Sequence, residues 1–365
     1  MSAISSRVVR YARAWAMGPD DVVEDEIIID RDGTSIPATI ARPRGMSGPL
    51  PAWVVLHGIT RPGRAHAQLV RFTRSVASAG LVTIVPEVPE WRELSLAPSL
   101  TVPTVAAAIE GIRDAGFVRG EQLGLVGFSF GAPHAIAASS DRRIRNEIAG
   151  VCGFGGYCDI GETIRFMMTG HHEWEGHHHH LRPDPYGRWI VAANYLTAVP
   201  EYAEATDVAD ALRTLAKHAG DVGAPSWDSV YHPKIRTLRA SVADERQWLF
   251  DAFAVAPEGS SSKHSTPEGL AEGLVAGALL RDPSIDPMTA FAEVRGEVHL
   301  IHGRRDHLIP FTEAHRLEAA LSRARRRLTV TRLFGHSAQE GLPLWSSLAE
   351  VPRFARALSE VLTTV

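Results

Sequence analysis

Cysteine is nearly absent. Cys152 and Cys158 are the two in 365 residues, too few and too close together for a disulfide framework, so reduced thiols in a cytoplasmic protein are expected. A dominant charge is also missing. The formal net charge is −4, which offers no basic surface to a polyanion and argues against nucleic acid as a partner. The one dense basic run, Arg323, Arg325, Arg326 and Arg327, is expected to close a helix, where cations meet the negative end of its dipole. No stretch of 18 apolar residues occurs, so no membrane span is expected, and no continuous apolar segment near the start reads as a secretory signal. Residues 1–17 carry Arg7, Arg10 and Arg13 without an acid. Their amphipathic pattern predicts a helix that docks Val8, Val9, Tyr11 and Trp15 onto the body.

What is present is an ordinary globular composition, 45% hydrophobic and 22% charged, in a chain long enough for one large domain with an insertion. Residues 22–30 and 36–43 read as two strands joined by a turn at Asp32-Gly33. Short apolar runs at 52–57, 81–86, 122–127 and 148–154 then alternate with helical patterns at 64–79, 103–115 and 130–140. That rhythm predicts an α/β fold with a mostly parallel sheet covered on both faces. It breaks after Gly153-Phe154-Gly155-Gly156. From there to about 293 helical patterns dominate, at 160–169, 188–197, 201–218, 229–240, 243–255 and 267–279, with little strand signal. Alternation resumes with a strand at 297–302, a helix at 311–323, a strand at 328–333 and a helix at 344–363. The expected organisation is a core of 1–155 and 294–365, with 156–293 inserted after the sixth core strand as a helical cap.

Three segments carry chemistry. Gly127-Phe128-Ser129-Phe130-Gly131 lies between an apolar strand and a helix. Acyl transfer needs an exposed, oriented hydroxyl backed by N–H donors. A sharp strand-to-helix turn supplies these, with glycines where backbone crowds backbone. Asp306 follows the strand at 297–302, and His336 follows the one at 328–333. Each lies just past a strand end, at the edge where open α/β sheets gather their functional groups. The order Ser, Asp, His is the one this arrangement uses. Ser129 is then the nucleophile, His336 the general base, and Asp306 the acid that fixes the imidazole. The Phe130 amide, next after the nucleophile, is one expected oxyanion donor.

With His57-Gly58, the Ser129 elbow, Gly303-x-x-Asp306-x-x-x-Pro310 and Gly335-His336, the sequence resembles the α/β-hydrolase superfamily. The resemblance is to its esterase, dienelactone-hydrolase-like and acyl-peptidase-like branches, over about 52–155 and 294–365. It implies an α/β-hydrolase fold and a second oxyanion donor at the Ile59 amide, from the loop after the 52–57 strand. His57, Gly58, Phe128, Trp91 and Phe166 are expected near the substrate. The activity implied is hydrolysis of carboxylic esters of small to medium, partly apolar molecules without a cofactor. An amidase or peptidase acting on small acylated peptides, and a binding protein with a silent site, are the alternatives. A small-molecule ester is the expected partner, and a homodimer is compatible with the sequence.

Residues 171–180, His-His-Glu-Trp-Glu-Gly-His-His-His-His, hold six of the 17 histidines. Such ligands can bind zinc or nickel. The run lacks a spaced metal motif, however, and a solvated, pH-responsive lid loop with no metal is the expectation.

Overall fold

The computed structural model describes residues 6–19, 21–46, 48–120, 122–255, 265–333 and 350–365. The chain opens with helix α1 (Ser6–Met17), then a hairpin of β1 (Val22–Arg31) and β2 (Thr34–Pro43). Asp32 and Gly33 both take positive φ, 49° and 86°, the backbone a two-residue hairpin turn requires. Next come β3 (Ala52–Leu56), α2 (Ala67–Ser78), β4 (Val82–Pro86), a single turn α3 (Pro89–Arg92), α4 (Thr101–Asp114), β5 (Leu123–Phe128), α5 (Gly131–Ala138) and β6 (Ile148–Phe154).

The segment that follows has α6 (Ile160–Thr169), a small hairpin of β7 (His171–Trp174) and β8 (His177–His180), and α7 (Pro185–Tyr195). It continues with α8 (Thr206–Val222), α9 (His232–Ser241), α10 (Gln247–Ala254), α11 (Pro267–Arg281) and the short α12 (Met288–Phe291). The chain then returns to β9 (Glu297–Gly303), α13 (Phe311–Ala320), β10 (Arg325–Thr331) and α14 (Val351–Val361).

Eight strands form one sheet in the order β1-β2-β4-β3-β5-β6-β9-β10. β1, β2 and β4 pair antiparallel at one edge, and the remaining pairs are parallel. The central strands β3 and β4 are buried at every position, as a sheet covered on both faces demands. Alternate residues feed two cores. Trp53, Val55, Val126 and Phe154 pack with Val8, Tyr11, Phe72 and Leu358 under α1, α2 and α14. Val54, Leu56, Leu125 and Val151 face the other way and share one continuous cluster with Trp189, Leu212, Phe250 and Leu274 of the inserted helices. Among the described residues, the helices between β6 and β9 share this cluster with the sheet. Their apolar faces close over the sheet side.

The structure corrects several local expectations. The arginine run does not end a helix: α13 stops at Ala320, and Arg325–Arg327 start the edge strand β10. There they are exposed, with Arg325 against Glu297 at 3.3 Å and Arg327 against Glu360 at 2.6 Å. Charged side chains on a free strand edge discourage pairing with another chain. In α1, Val8 and Tyr11 are buried but Val9 is 60% exposed, because its direction on the helix lies off the docked stripe. Residues 171–180 form a hairpin, not a loop. Both cysteines are buried free thiols. Among the described residues no helix is long and apolar enough to cross a membrane.

Candidate active site

Ser129 sits in the turn between β5 and α5 with φ +52°, left-handed backbone that costs a side chain roughly 1–2 kcal/mol. The surroundings impose it. The Ser129 N–H donates to the Phe154 carbonyl at 2.7 Å, and its own carbonyl accepts from the Ala132 N–H at 2.9 Å. Strand end and helix start press so close that a Cβ on Gly127 would stand 2.2 Å from the Gly131 oxygen, and one on Gly131 would stand 2.7 Å from the His57 oxygen. A side chain at either position would open the turn, so the strain stays stored at Ser129. The residue remains half exposed.

The loop after β3 runs alongside. Gly58 lies against the serine: a Cβ there would be 2.9 Å from Ser129 Cβ. His57 is 1% exposed, and its ring is committed inside the protein. Its Nε2 is 3.1 Å from the Val88 N–H and 3.0 Å from the Glu87 carboxyl, and its Nδ1 is 2.7 Å from the Gly58 carbonyl. The Val88 amide can only donate, so Nε2 accepts from it and Nδ1 carries the hydrogen bonded to Gly58. In a trans peptide the carbonyl and the following N–H point in opposite directions. Holding the Gly58 oxygen toward the ring therefore turns the Ile59 N–H away from it. The Val88 amide, just past the end of β4, sets this arrangement, and the Glu87 carboxyl lies beside the same ring nitrogen.

Asp306 follows β9 and is fully buried. Its Oδ1 accepts from the Leu308 and Ile309 N–H groups at 2.9 and 3.0 Å, and its Oδ2 lies 3.5 Å from His302 Nε2. That histidine also reaches the Ile309 carbonyl at 2.9 Å. The carboxylate is thus fixed by its own loop. β6 alone separates β5 from β9 in the sheet, so Ser129 and Asp306 leave the same edge two strands apart, about 10 Å at the usual spacing. β10 is the next strand, its Thr331 opposite Gly303, so the chain toward His336 departs from that same edge. His336 itself lies outside the described residues.

The expected pocket residues divide. Phe128 stacks on Phe154 at 4.8 Å and meets Phe72 edge-on at 5.1 Å, on the sheet side of α2. Phe130 turns to the opposite side, edge-on to Trp91 at 5.2 Å and over His134 at 4.6 Å. Trp91 is fully buried between Phe130 and His57 and donates from Nε1 to the Ala97 carbonyl at 3.1 Å. Phe166 is fully buried too, with its ring on His172 at 5.4 Å. Both side chains are buried in the fold. Below them, His134 bonds the Tyr157 hydroxyl at 2.8 Å, and that hydroxyl donates to the Ile285 carbonyl at 2.7 Å. Burial pushes the His134 pKa down to about 3, so it is a neutral donor in a chain that ends in the inserted segment.

Polar ties fasten that segment to the same edge. Arg61, two residues past Ile59, reaches Glu93 at 2.7 Å and Asp221 of α8 at 3.1 Å, and Lys217 of α8 reaches Glu93 at 2.5 Å. Lys217 and Arg61 together hold the Glu93 carboxyl down to about 2. On the acid side, the Asp184 N–H donates to the His307 carbonyl at 2.7 Å, and the His307 ring bonds the Arg182 carbonyl at 2.6 Å.

The fold has counterparts among solved structures. The chain superposes on brefeldin A esterase, a bacterial homologue of human hormone-sensitive lipase, with a TM-score of 0.51 at 15% identity, covering 99% of this chain and 86% of that one. It superposes on the Pyrococcus horikoshii acylaminoacyl peptidase with a TM-score of 0.50 at 10% identity, covering 93% of this chain and 42% of that one. The chain thus spans about two fifths of the peptidase. No family model matches the sequence, and no curated protein matches it. The chain has the α/β-hydrolase fold.

Proposed function

We propose that the chain is a serine hydrolase that cleaves carboxylic esters of small to medium, partly apolar molecules through an acyl-enzyme. The observation that carries this reading is Ser129, a non-glycine residue forced to φ +52° at the strand-to-helix turn with Gly58 packed against it. Strained backbone that the surroundings over-determine concentrates at functional sites.

Ser129 Oγ attacks the acyl carbonyl. His336 takes its proton and returns it to the leaving alcohol. Asp306, already anchored by two amides, fixes the imidazole tautomer and stabilises the imidazolium. The Phe130 amide, at the start of α5 where helical N–H groups lack internal partners, and the Ile59 amide hold the oxyanion. Each such donor is worth about 3–4 kcal/mol in the transition state. The inserted residues 156–293 act as a lid over the edge, fastened by the Arg61, Glu93, Lys217 and Asp221 ties.

A fluorophosphonate probe read by intact mass, with p-nitrophenyl esters of short and medium acyl length, tests the reading. One label on the wild type, none on Ser129→Ala, and ester turnover lost in that variant are expected. A folded wild type that neither labels nor turns over ester would favour a binding protein instead. Faster turnover of acylated amino-acid amides than of the esters would favour the peptidase class.

A further inference from the structure

Residues 171–180 build a rigid ribbon with two different faces. Glu175 and Gly176 take φ of 50° and 77°, as a two-residue turn with both central residues left-handed requires. The register pairs His171 with His180, His172 with His179, Glu173 with His178 and Trp174 with His177. The Leu181 N–H donates to the Gly170 carbonyl at 3.0 Å, so 170 and 181 form a hydrogen-bonded pair. Counting from there toward the turn, the pairs 171/180 and 173/178 are the non-hydrogen-bonded ones, in which facing side chains come closest.

One face is anchored. His172 is buried, with Nδ1 3.1 Å from Thr312 Oγ1 and its ring on Phe311 at 5.4 Å. Trp174 stacks on His315 at 6.0 Å, and Arg316 donates to the Glu173 carbonyl at 2.7 Å. The other face presents His171, Glu173, His178 and His180 to solvent. There the rings of His171 and His180 stand with centroids 4.8 Å apart at an interplanar angle of 56°, while His178 Nδ1 is engaged with the Glu173 carboxylate at 2.9 Å.

We propose that His171 and His180 form a two-nitrogen chelate for a divalent transition-metal ion such as zinc or nickel on the solvent face of this hairpin. Two nitrogens bound tetrahedrally to zinc at about 2.0–2.1 Å stand roughly 3.3 Å apart. Two rings with centroids 4.8 Å apart reach that spacing by turning their edges toward each other. Imidazole is a suitable donor for either metal. Among the described residues no group of three or more His, Cys, Asp or Glu side chains converges on one point, so water completes the coordination. The Glu173 carboxylate, two residues along the same face, adds negative charge beside the cation. What separates this pair from a flexible histidine run is the anchored opposite face, which holds the two backbone positions in register and so lowers the ordering cost of chelation. The ion would cross-link the base of the hairpin, next to the strand exit that leads to Asp184 and its bond to the His307 carbonyl. The site stands independently of the hydrolase reading.

The test is calorimetric titration of zinc and of nickel into the chelator-stripped full-length chain at about pH 7.5, where free imidazole is mostly neutral. The variants are His171→Gln, His180→Gln, the double variant, and His177→Gln as a control from the opposite face, with circular dichroism to confirm the fold. One saturable equivalent is expected, weakened at least about tenfold by either single change as a two-point chelate becomes one-point. The double variant should abolish it and His177→Gln should leave it intact. With copper(II), the electron paramagnetic resonance spectrum should show two imidazole nitrogens. No binding by the wild type, binding retained in the double variant, or an equal loss in His177→Gln would overturn the proposal; the last would show diffuse chelation by a histidine-rich stretch.

Discussion

The sheet edge and the inserted helices hold their polar groups in opposite ways. At the edge the constraint is backbone. Ser129 is strained by glycine-to-backbone contacts at Gly127 and Gly131, and Asp306 is gripped by the Leu308 and Ile309 amides. In the segment between β6 and β9 side chains carry much of the constraint: Arg61 on Asp221, Lys217 on Glu93 and the His307 ring on the Arg182 carbonyl, beside the backbone bond from the Asp184 N–H to the His307 carbonyl. The Ser129 strain cannot be relaxed by rotating a side chain, and the Asp306 carboxylate would have to give up two amide bonds at once. Surface ion pairs can be relaxed that way, and each contributes little. Changes at the edge should therefore abolish function while leaving a folded protein, and changes in the ties should only modulate it.

The largest expected effect is Asp306→Asn. An amide in place of the carboxylate can present the wrong hydrogen-bonding partner to the imidazole, and kcat should fall by roughly 10⁴-fold. Single-turnover kinetics with a p-nitrophenyl ester measures it, and a loss below tenfold would mean another group serves as the acid. Gly58→Ala comes next. Its Cβ would stand 2.9 Å from Ser129 Cβ and 3.2 Å from the Phe128 oxygen, so the loop bearing Ile59 must move back. A misplacement of that size costs on the order of 10²-fold in kcat, with KM little changed and the thermal midpoint shifted only modestly.

The insertion should answer to pH. Burial lowers the His172 pKa from 6.5 to about 4, with nearby His179 and Arg316 adding to the effect. The folded chain therefore keeps this ring neutral where the unfolded chain protonates it. Its contribution is complete above about pH 6.5 and is lost progressively as pH falls toward about 4. Glu313 works in the other sense. Burial raises its pKa from 4.5 to about 7, even though it accepts from the Cys158 and Asp159 amides at 3.0 and 2.8 Å. Its cost grows as pH rises through that range. Denaturant midpoints from pH 7 to 4 for the wild type and His172→Gln separate the two, because the variant should lose the acid-side decline assigned to His172. Identical slopes would remove His172 from the account.

The smallest effect is expected for Arg61→Ala. It breaks two exposed ion pairs, so stability should fall by less than about 1 kcal/mol. If the insertion is a lid, KM should nonetheless change more than kcat, and raised salt should reproduce part of that change in the wild type. A large loss of stability would show that the tie is structural and would erase the contrast between the two regions.

Local pattern fixed much of this molecule. Apolar runs such as 52–57 and 122–127, short and bounded by turn residues, read as buried strands. Asp32-Gly33 could only turn, and a serine between Gly127 and Gly131 after a strand announced the elbow. The helix at 160–169 was legible to the residue because Asp159 caps it and Gly170 ends it left-handed. Tertiary structure decided what depends on partners distant in sequence. Histidine has no strand preference that a periodicity reading could detect, and 171–180 became a ribbon because α13 offered Phe311, Thr312 and His315 to one of its faces. Arg325–Arg327 became strand because β9 was there to pair with. The role of His57 depended on Glu87 and Val88, which only the pairing of β3 with β4 brings beside it. Periodicity reports which side of an element is buried; it carries no information about which distant group will meet that side, and the chemistry of this edge is made of such meetings.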